Sequence, residues 1–128
     1  MASKRRVIEI PGVKHSAPIP MAVRYDNMLY TSAIMGIDAQ TGRLGDGPDE
    51  QARFAFDNLR QVLEQAGGGP DNIVRMTVHL TDHSYRESIN KPWLEWFPDE
   101  NDRPARHSVL ANLPRDFLLQ IEVVAIID

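Results

Sequence analysis

From residue 52 onward the apolar positions fall at steps of three and four: Ala52, Ala55, Phe56, Leu59, Val62, Leu63 and Ala66. Because an α-helix turns once in 3.6 residues, that spacing lays one apolar stripe along a helix. Pro48 suits its first turn, Asp49 and Glu50 complement the positive end of the helix dipole, and Gly67 can stop it. The period then changes. In "NIVRMTVHLT" the residues Val74, Met76, Val78 and Leu80 alternate with their neighbours, which predicts a strand with those four on one face.

Three strands are predicted ahead of that helix, over Arg6–Ile10, Met21–Tyr25 and Met28–Ala33. Asp26 and Asn27 join the last two, and both residue types tolerate the positive φ of a tight hairpin turn. "DAQTGRLGDG" then reads as a polar loop. A second helix is expected from near Ser84, where Ser84 and Glu87 have capping-box spacing. Its buried side would hold Tyr85, Ile89, Trp93, Trp96 and Phe97, and Pro92 should kink it or shorten its regular part. Two strands close the chain, His107–Leu113 and Phe117–Ile127, around a corner from Asn112 to Asp116.

The order β-β-β-α-β-α-β-β describes one α+β domain over residues 1–128, a mixed sheet with two helices on one face. The uncovered face ought to be polar. Yet on the last strand Ile121, Val123, Ala125 and Ile127 alternate with Val124 and Ile126, so both faces are apolar. A strand buried on both faces needs a second cover, and the chain has no third helix to provide it. Other copies of the chain are the expected cover, which predicts a homo-oligomer.

Composition narrows the function classes. The 128 residues are 42% hydrophobic and 25% charged, as in an ordinary globular protein. The longest apolar run, Val123–Ile127, is far too short to cross a bilayer. "MASKRRVIEIPG" has the charges of a secretory leader without the apolar segment that should follow, so a cytoplasmic protein with no membrane partner is expected. Cysteine is absent, which removes disulfides, thiolate metal sites and a thiol nucleophile together. A net charge of −4 argues against a general nucleic-acid partner, whose phosphates call for clustered Lys and Arg.

Among residues able to do chemistry, Arg106 stands out. It follows Pro104, whose ring fixes φ, and it enters a predicted strand, so its side chain is aimed rather than mobile. A guanidinium offers a planar fork of donors that matches a carboxylate and keeps its charge at physiological pH. Two readings remain open from the residues alone: a structural ion pair, or a grip on an acidic ligand. His107 should face away from Arg106 because successive strand residues alternate. His79 and His83 bridge a strand and a turn with no third ligand, so neither a metal nor a cofactor is expected. His15, in the loop before Ile19, reads as an exposed loop histidine or as a proton donor within reach of a cleft.

Several motifs, in order, resemble the RidA/YjgF family of small enamine and imine deaminases. "YTSA" at Tyr30–Ala33, "QARFAFDNLRQVLEQAG" with Gln51, Asn58 and Leu63, "IVRMTVHLTD", "IN..WLEWF", "RPARHSV" and "LPRDFLLQIEVVAI" all match, from about Pro18 to Ile127. The resemblance implies a chorismate mutase-like fold and a homotrimer with active sites between subunits. It places the family's carboxylate-binding arginine at Arg106, its serine at Ser32 and its helix asparagine at Asn90. Ser108 falls where many relatives have cysteine, Ala33 replaces a glycine, and Ile19 replaces a tyrosine. Gln120 stands where the family has the glutamate linked to the attacking water. One residue is missing between Arg106 and Leu113, which implies a strand without a bulge.

These features together suggest hydrolytic deamination of a small enamine or imine acid, such as a 2-imino acid or an aminomuconate-like compound, to a keto acid and ammonia. Arg106 would hold the carboxylate, Gln120 and Ser32 would place water or substrate, and Asn90, Ser108, Ala33 and Ile19 would line the cleft. A glutamine orients water but takes no proton, although Glu122 lies on the same strand face. The competing reading is a module that binds small carboxylates and has lost the chemistry.

Overall fold

In the computed structural model, which describes residues 4–128, the chain forms one seven-stranded sheet with two helices packed on one face. Met1–Ser3, the start of the leader-like segment, lie outside the described residues. The strands are β1 (Arg5–Ile8), β2 (Ala22–Tyr25), β3 (Met28–Thr31), β4 (Ile34–Met35), β5 (Ile73–Leu80), β6 (Ala105–Leu110) and β7 (Leu119–Ile126). Their order is β1-β2-β3-β7-β5-β6, with β4 also pairing β7. Among the described strands only β5 and β6 run parallel, as expected where a helix forms the crossover between them.

Helix α1 (Gly47–Gln65) buries the whole predicted stripe, with Ala52, Ala55, Leu59, Val62, Leu63 and Ala66 fully sequestered. Gly67 adopts φ +92 just past its end; the amides of Gly67 and Gly68 donate to the carbonyls of Glu64 and Leu63, a Schellman closure. Two polar residues of the same face are buried as well. Gln51 donates to the carbonyls of Gly45 and Asp116 and accepts from the amide of Leu118, so it pins the corner that leads into β7. Asn58 donates to the carbonyls of Met35 and Ile37 at 2.9 and 2.8 Å, which fastens β4 to the helix.

Other expectations needed correction. The strand predicted over Met28–Ala33 stops at Thr31, whose hydroxyl accepts from the amide of Val123 and interrupts the ladder before β4 resumes it. In β5 the register slips between Ile73 and Arg75. A bulge of that kind turns the following side chains over, so Ile73 joins Met76, Val78 and Leu80 in the core and Val74 is 47% exposed. Helix α2 starts at Arg86, not Ser84. A 3₁₀ turn over His83–Tyr85 precedes it, and the Asp82 carboxylate accepts from the amide and hydroxyl of Ser84 in place of the expected capping box.

Helix α2 continues through Pro92 to Trp96 and buries Ser88, Ile89 and Trp93, while Tyr85 and Trp96 are only half-buried. Trp96 meets Phe56 of α1 edge-on at 4.9 Å, the aromatic contact that joins the two helices. Strand β6 spans Ala105–Leu110, so it begins before the predicted His107 and ends before the predicted Leu113, and β7 spans Leu119–Ile126, shorter at both ends than the predicted Phe117–Ile127. The β5–β6 register is unbroken, as the missing residue implied. Asp26 takes φ +53 in the β2–β3 turn, as its residue type predicts.

Alternation along β7 divides the sheet into two unlike faces. Leu119, Ile121, Val123 and Ala125 are buried beneath the helices, whereas Gln120, Glu122, Val124 and Ile126 are half-exposed on the other side. Tyr30, paired with Val124, and Tyr25, paired with Met28, are about half exposed on that open face. Replacing Asn58 by alanine should leave the Met35 and Ile37 carbonyls unpaired and lower stability by about 1–3 kcal/mol. Urea unfolding of the variant checks this, and an unchanged midpoint would show that β4 does not depend on the anchor.

Candidate functional site

Strand β6 is an edge strand, and its alternation puts Arg106 and Ser108 on the helix-facing side while His107 is exposed on the opposite side. Above Arg106 runs α2, where Asn90 and Trp93 are three residues apart and therefore neighbours on one helix face. Arg106 Nη2 donates to Asn90 Oδ1 at 2.7 Å, and the guanidinium carbon stands 5.0 Å from the centre of the Trp93 ring. An amide oxygen on one edge and a π face beneath fix the plane of the fork. Trp93 was expected only as a core residue; its spacing from Asn90 was the available signal for this second role.

The electrostatics of Arg106 are unusual. The ion pairs among the described residues are Arg43–Glu50, His79–Glu122 and Lys91–Asp49, and none of them involves it. Burial, followed by the like charge of Arg86 one helical turn before Asn90, pushes the Arg106 pKa down from its usual range. The structural ion pair that the sequence left open is therefore not found among the described residues. A partly desolvated cation without a counter-ion is a candidate site for an anion.

The remaining candidates lie elsewhere. Ile19 is 46% exposed and lines a shallow groove with Pro20, Tyr30 and Ser32 beside the β1–β3 edge. The Ser32 hydroxyl donates to the Pro20 carbonyl at 2.8 Å, so its proton is committed to holding that loop and only its lone pairs remain for a ligand. Ala33 sits in the two-residue link between β3 and β4, and β4 in turn places Met35 opposite Gln120 of β7. His15 is not an exposed loop histidine: it is half-buried, and its Nε2 is shielded without a hydrogen-bond partner.

One chain therefore separates the candidates into two groups. Arg106, Asn90 and Ser108 form the first; Ile19, Ser32, Ala33 and Gln120 belong to the other half of the sheet. Gln120 is two strands from Arg106 (β7 to β5 to β6) and three residues along, because Met76 pairs Arg106 and His79 pairs Gln120. At ~4.8 Å per strand and ~3.3 Å per residue, that is ~10 Å in each direction, with the side chains on opposite faces. No small acid spans both within one chain.

Sequence reasoning missed one pairing. His79, set aside as a metal ligand, has its Nε2 2.7 Å from Glu122 Oε1 on the open face of the sheet. The two residues are 43 apart in sequence, and only the β5–β7 register brings them together.

Comparison with known proteins places this geometry. The family model for endoribonuclease L-PSP matches residues 13–127. A RutC family protein of Drosophila melanogaster, UK114, is 37% identical over 115 residues, 88% of this chain and 82% of the relative. Escherichia coli TdcF, whose name provisionally marks it as a reactive intermediate deaminase, is 31% identical over 111 residues, 85% of this chain and 86% of its own. Among solved structures, RidA of the Antarctic bacterium Psychrobacter sp. superposes with a TM-score of 0.87 at 30% identity, covering 95% of this chain and 99% of that one. Escherichia coli TdcF with bound serine gives 0.84 at 29% identity, covering 96% and 99%.

Since no carboxylate pairs with Arg106 among the described residues, Arg106→Met should be neutral to stability or raise it by up to ~1 kcal/mol, as for other partly buried charges without a counter-ion. The sign follows from the lowered pKa: below both the folded and the unfolded value, folding disfavours the charged form, so the charge is a net cost throughout the neutral range. Thermal unfolding of the variant near neutral pH provides the check, and a large loss of stability would mean the guanidinium is structural after all.

Proposed function

We propose, since the chain belongs to the RidA/YjgF (endoribonuclease L-PSP) family, that it is a hydrolase that deaminates small enamine or imine acids to keto acids and ammonia. The observation that carries the proposal is the partly buried Arg106 fork, held by Asn90 and Trp93 with no carboxylate paired to it among the described residues. Such a fork takes the carboxylate of a 2-imino acid in a bidentate grip and places the neighbouring C=N carbon at a fixed distance from the strand. Neutralising that acid group also makes the carbon a better target for water.

The two half-sites meet between copies of the chain. Arg106, Asn90 and Ser108 of one subunit face Ile19, Ser32, Ala33 and Gln120 of the next, and closure of this heterologous contact as a homotrimer gives three sites. The half-exposed Val124 and Ile126 and the exposed Val7 and Tyr30 support this assembly, since an apolar sheet face left in water is a docking surface. In the cleft Gln120 orients the attacking water, Ser32 accepts a hydrogen bond from it or from the substrate, and Ala33 and Ile19 form an apolar wall. That wall favours substrates with an apolar tail, up to an aminomuconate-like acid. The serine bound by TdcF has the kind of carboxylate that Arg106 is proposed to hold.

A second reading has its own observation in its favour. Gln120 cannot take a proton, and a chain that keeps the grip but lacks a base is a carboxylate-binding module. The two readings separate on turnover. A dehydratase acting on serine generates 2-iminopropanoate in place; the proposed enzyme speeds its decay, and Arg106→Ala returns the rate to that of buffer. If wild type and Arg106→Ala both match buffer while 2-ketobutyrate still raises the unfolding temperature of wild type alone, the module is the function. RNA cleavage that Arg106→Ala abolishes would overturn both.

The assembly has a separate test. Sedimentation of the wild type should give a trimer near three times the 14.5 kDa chain mass. Val124→Asp should shift it to monomer and abolish turnover with Arg106 intact. A monomeric wild type that turned over substrate would refute the shared site.

A further inference from the structure

Gln120 leaves the proposed reaction without a group that can take a proton from water, but two groups on the same face of the sheet can. His79 of β5 lies directly opposite Gln120 of β7 in the antiparallel register. Side chains so opposed have Cβ atoms about 4.5–5.5 Å apart, so the imidazole and the amide share one patch. One step along β7, Glu122 accepts from His79: Nε2 and Oε1 are 2.7 Å apart. A carboxylate only accepts, so Nε2 carries a proton, and in the neutral ring Nδ1 is then the acceptor. Both side chains keep contact with solvent, 27% for His79 and 43% for Glu122.

We infer that His79 and Glu122 are the proton-transfer pair of this active site, with His79 Nδ1 taking the proton from the water that Gln120 orients. The inference rests on the deaminase reading above. A carboxylate that fixes the tautomer of a histidine and stabilises its protonated form is the arrangement that makes imidazole a general base. As a stabilising device the pair has little to offer, because ion pairs exposed to this degree add little to folding. On this face of β5, β6 and β7 the other ionisable side chains are Arg75 and His107, on either side of Thr77. Arg75, Thr77, Glu122 and Tyr30 border an open groove, so a ligand or water has access to the carboxylate side of the pair.

The chemistry balances without any other reactant. Water oxygen bonds to C2 of the protonated imine as the C=N π pair moves to nitrogen, and the proton released by water goes to His79 Nδ1. The imidazolium, held by Glu122, then returns that proton to the amino group of the carbinolamine. The C–N bond breaks, a lone pair on the hydroxyl oxygen forms the carbonyl, and the hydroxyl proton leaves with ammonia as ammonium. One water is consumed, and nothing is oxidised or reduced.

The test measures kcat/KM for 2-iminopropanoate from about pH 6 to about pH 9 in the full-length protein. His79→Gln should lower the rate by about 10²-fold or more and flatten the acid side of the profile. Glu122→Gln keeps an oxygen that can accept from Nε2 but removes the charge; a rate loss there, with the unfolding temperature unchanged, separates proton transfer from a structural hydrogen bond. Stabilisation by 2-ketobutyrate should survive in both variants, since Arg106 is untouched, which also reports that they fold. Adding Gln120→Glu to His79→Gln should restore much of the rate. Turnover at the wild-type rate and pH profile in His79→Gln overturns this inference alone, and a wild type no faster than buffer removes it together with the deaminase reading.

Discussion

Two helices can cover one face of a sheet, and among the described residues no element covers the other. The consequence is written along β7, where buried Leu119, Ile121, Val123 and Ala125 alternate with half-exposed Gln120, Glu122, Val124 and Ile126. A strand cannot change which side a residue faces without slipping its register by one, and that slip would expose the core. The open face is therefore fixed as firmly as the core, and whatever chemistry it holds is mounted on a rigid support. Gln51 reinforces this from below, because its side chain holds both the carbonyl of Asp116 and the amide of Leu118 at the point where β7 begins.

The same constraint explains how Arg106 keeps its position. It belongs to the edge strand, on the side that α2 overhangs, so it is desolvated without being sealed in. Asn90 supplies a neutral acceptor where a carboxylate would have quenched the charge, and Trp93 supplies a flat surface that limits rotation. Arg86 raises the cost of the cation further. A cluster built for stability would not set a second guanidinium charge against the first with no carboxylate paired to Arg106 among the described residues. It has the character of a site that trades stability for the ability to hold an anion.

On the opposite face the chemistry is set by register. In the proposed assembly, the open face of one subunit supplies water and proton transfer while the edge strand of its neighbour supplies the grip. Dividing the work in this way requires no long loop and no third helix. In that proposed assembly catalysis depends on association, because Arg106 and Gln120 of one chain lie too far apart for a small acid to reach both.

Read alone, the sequence determined a good deal of this molecule. The helix stripe from Ala52 to Ala66, the Asp26 turn, the aim of Arg106 away from His107 and the apolar Val124 and Ile126 on the open side of β7 all follow from periodicity, which is local. What escaped it depended on partners distant along the chain. The bulge that exposes Val74 is set by pairing with β7, β4 exists because Asn58 holds it and Ile121 pairs with it, and the Asp82 cap won over the Ser84 spacing in the folded turn. The His79–Glu122 contact joins residues 43 apart that no spacing rule connects. Local periodicity tells each residue which way to face; only the tertiary structure, through strand register and helix placement, decides what it faces.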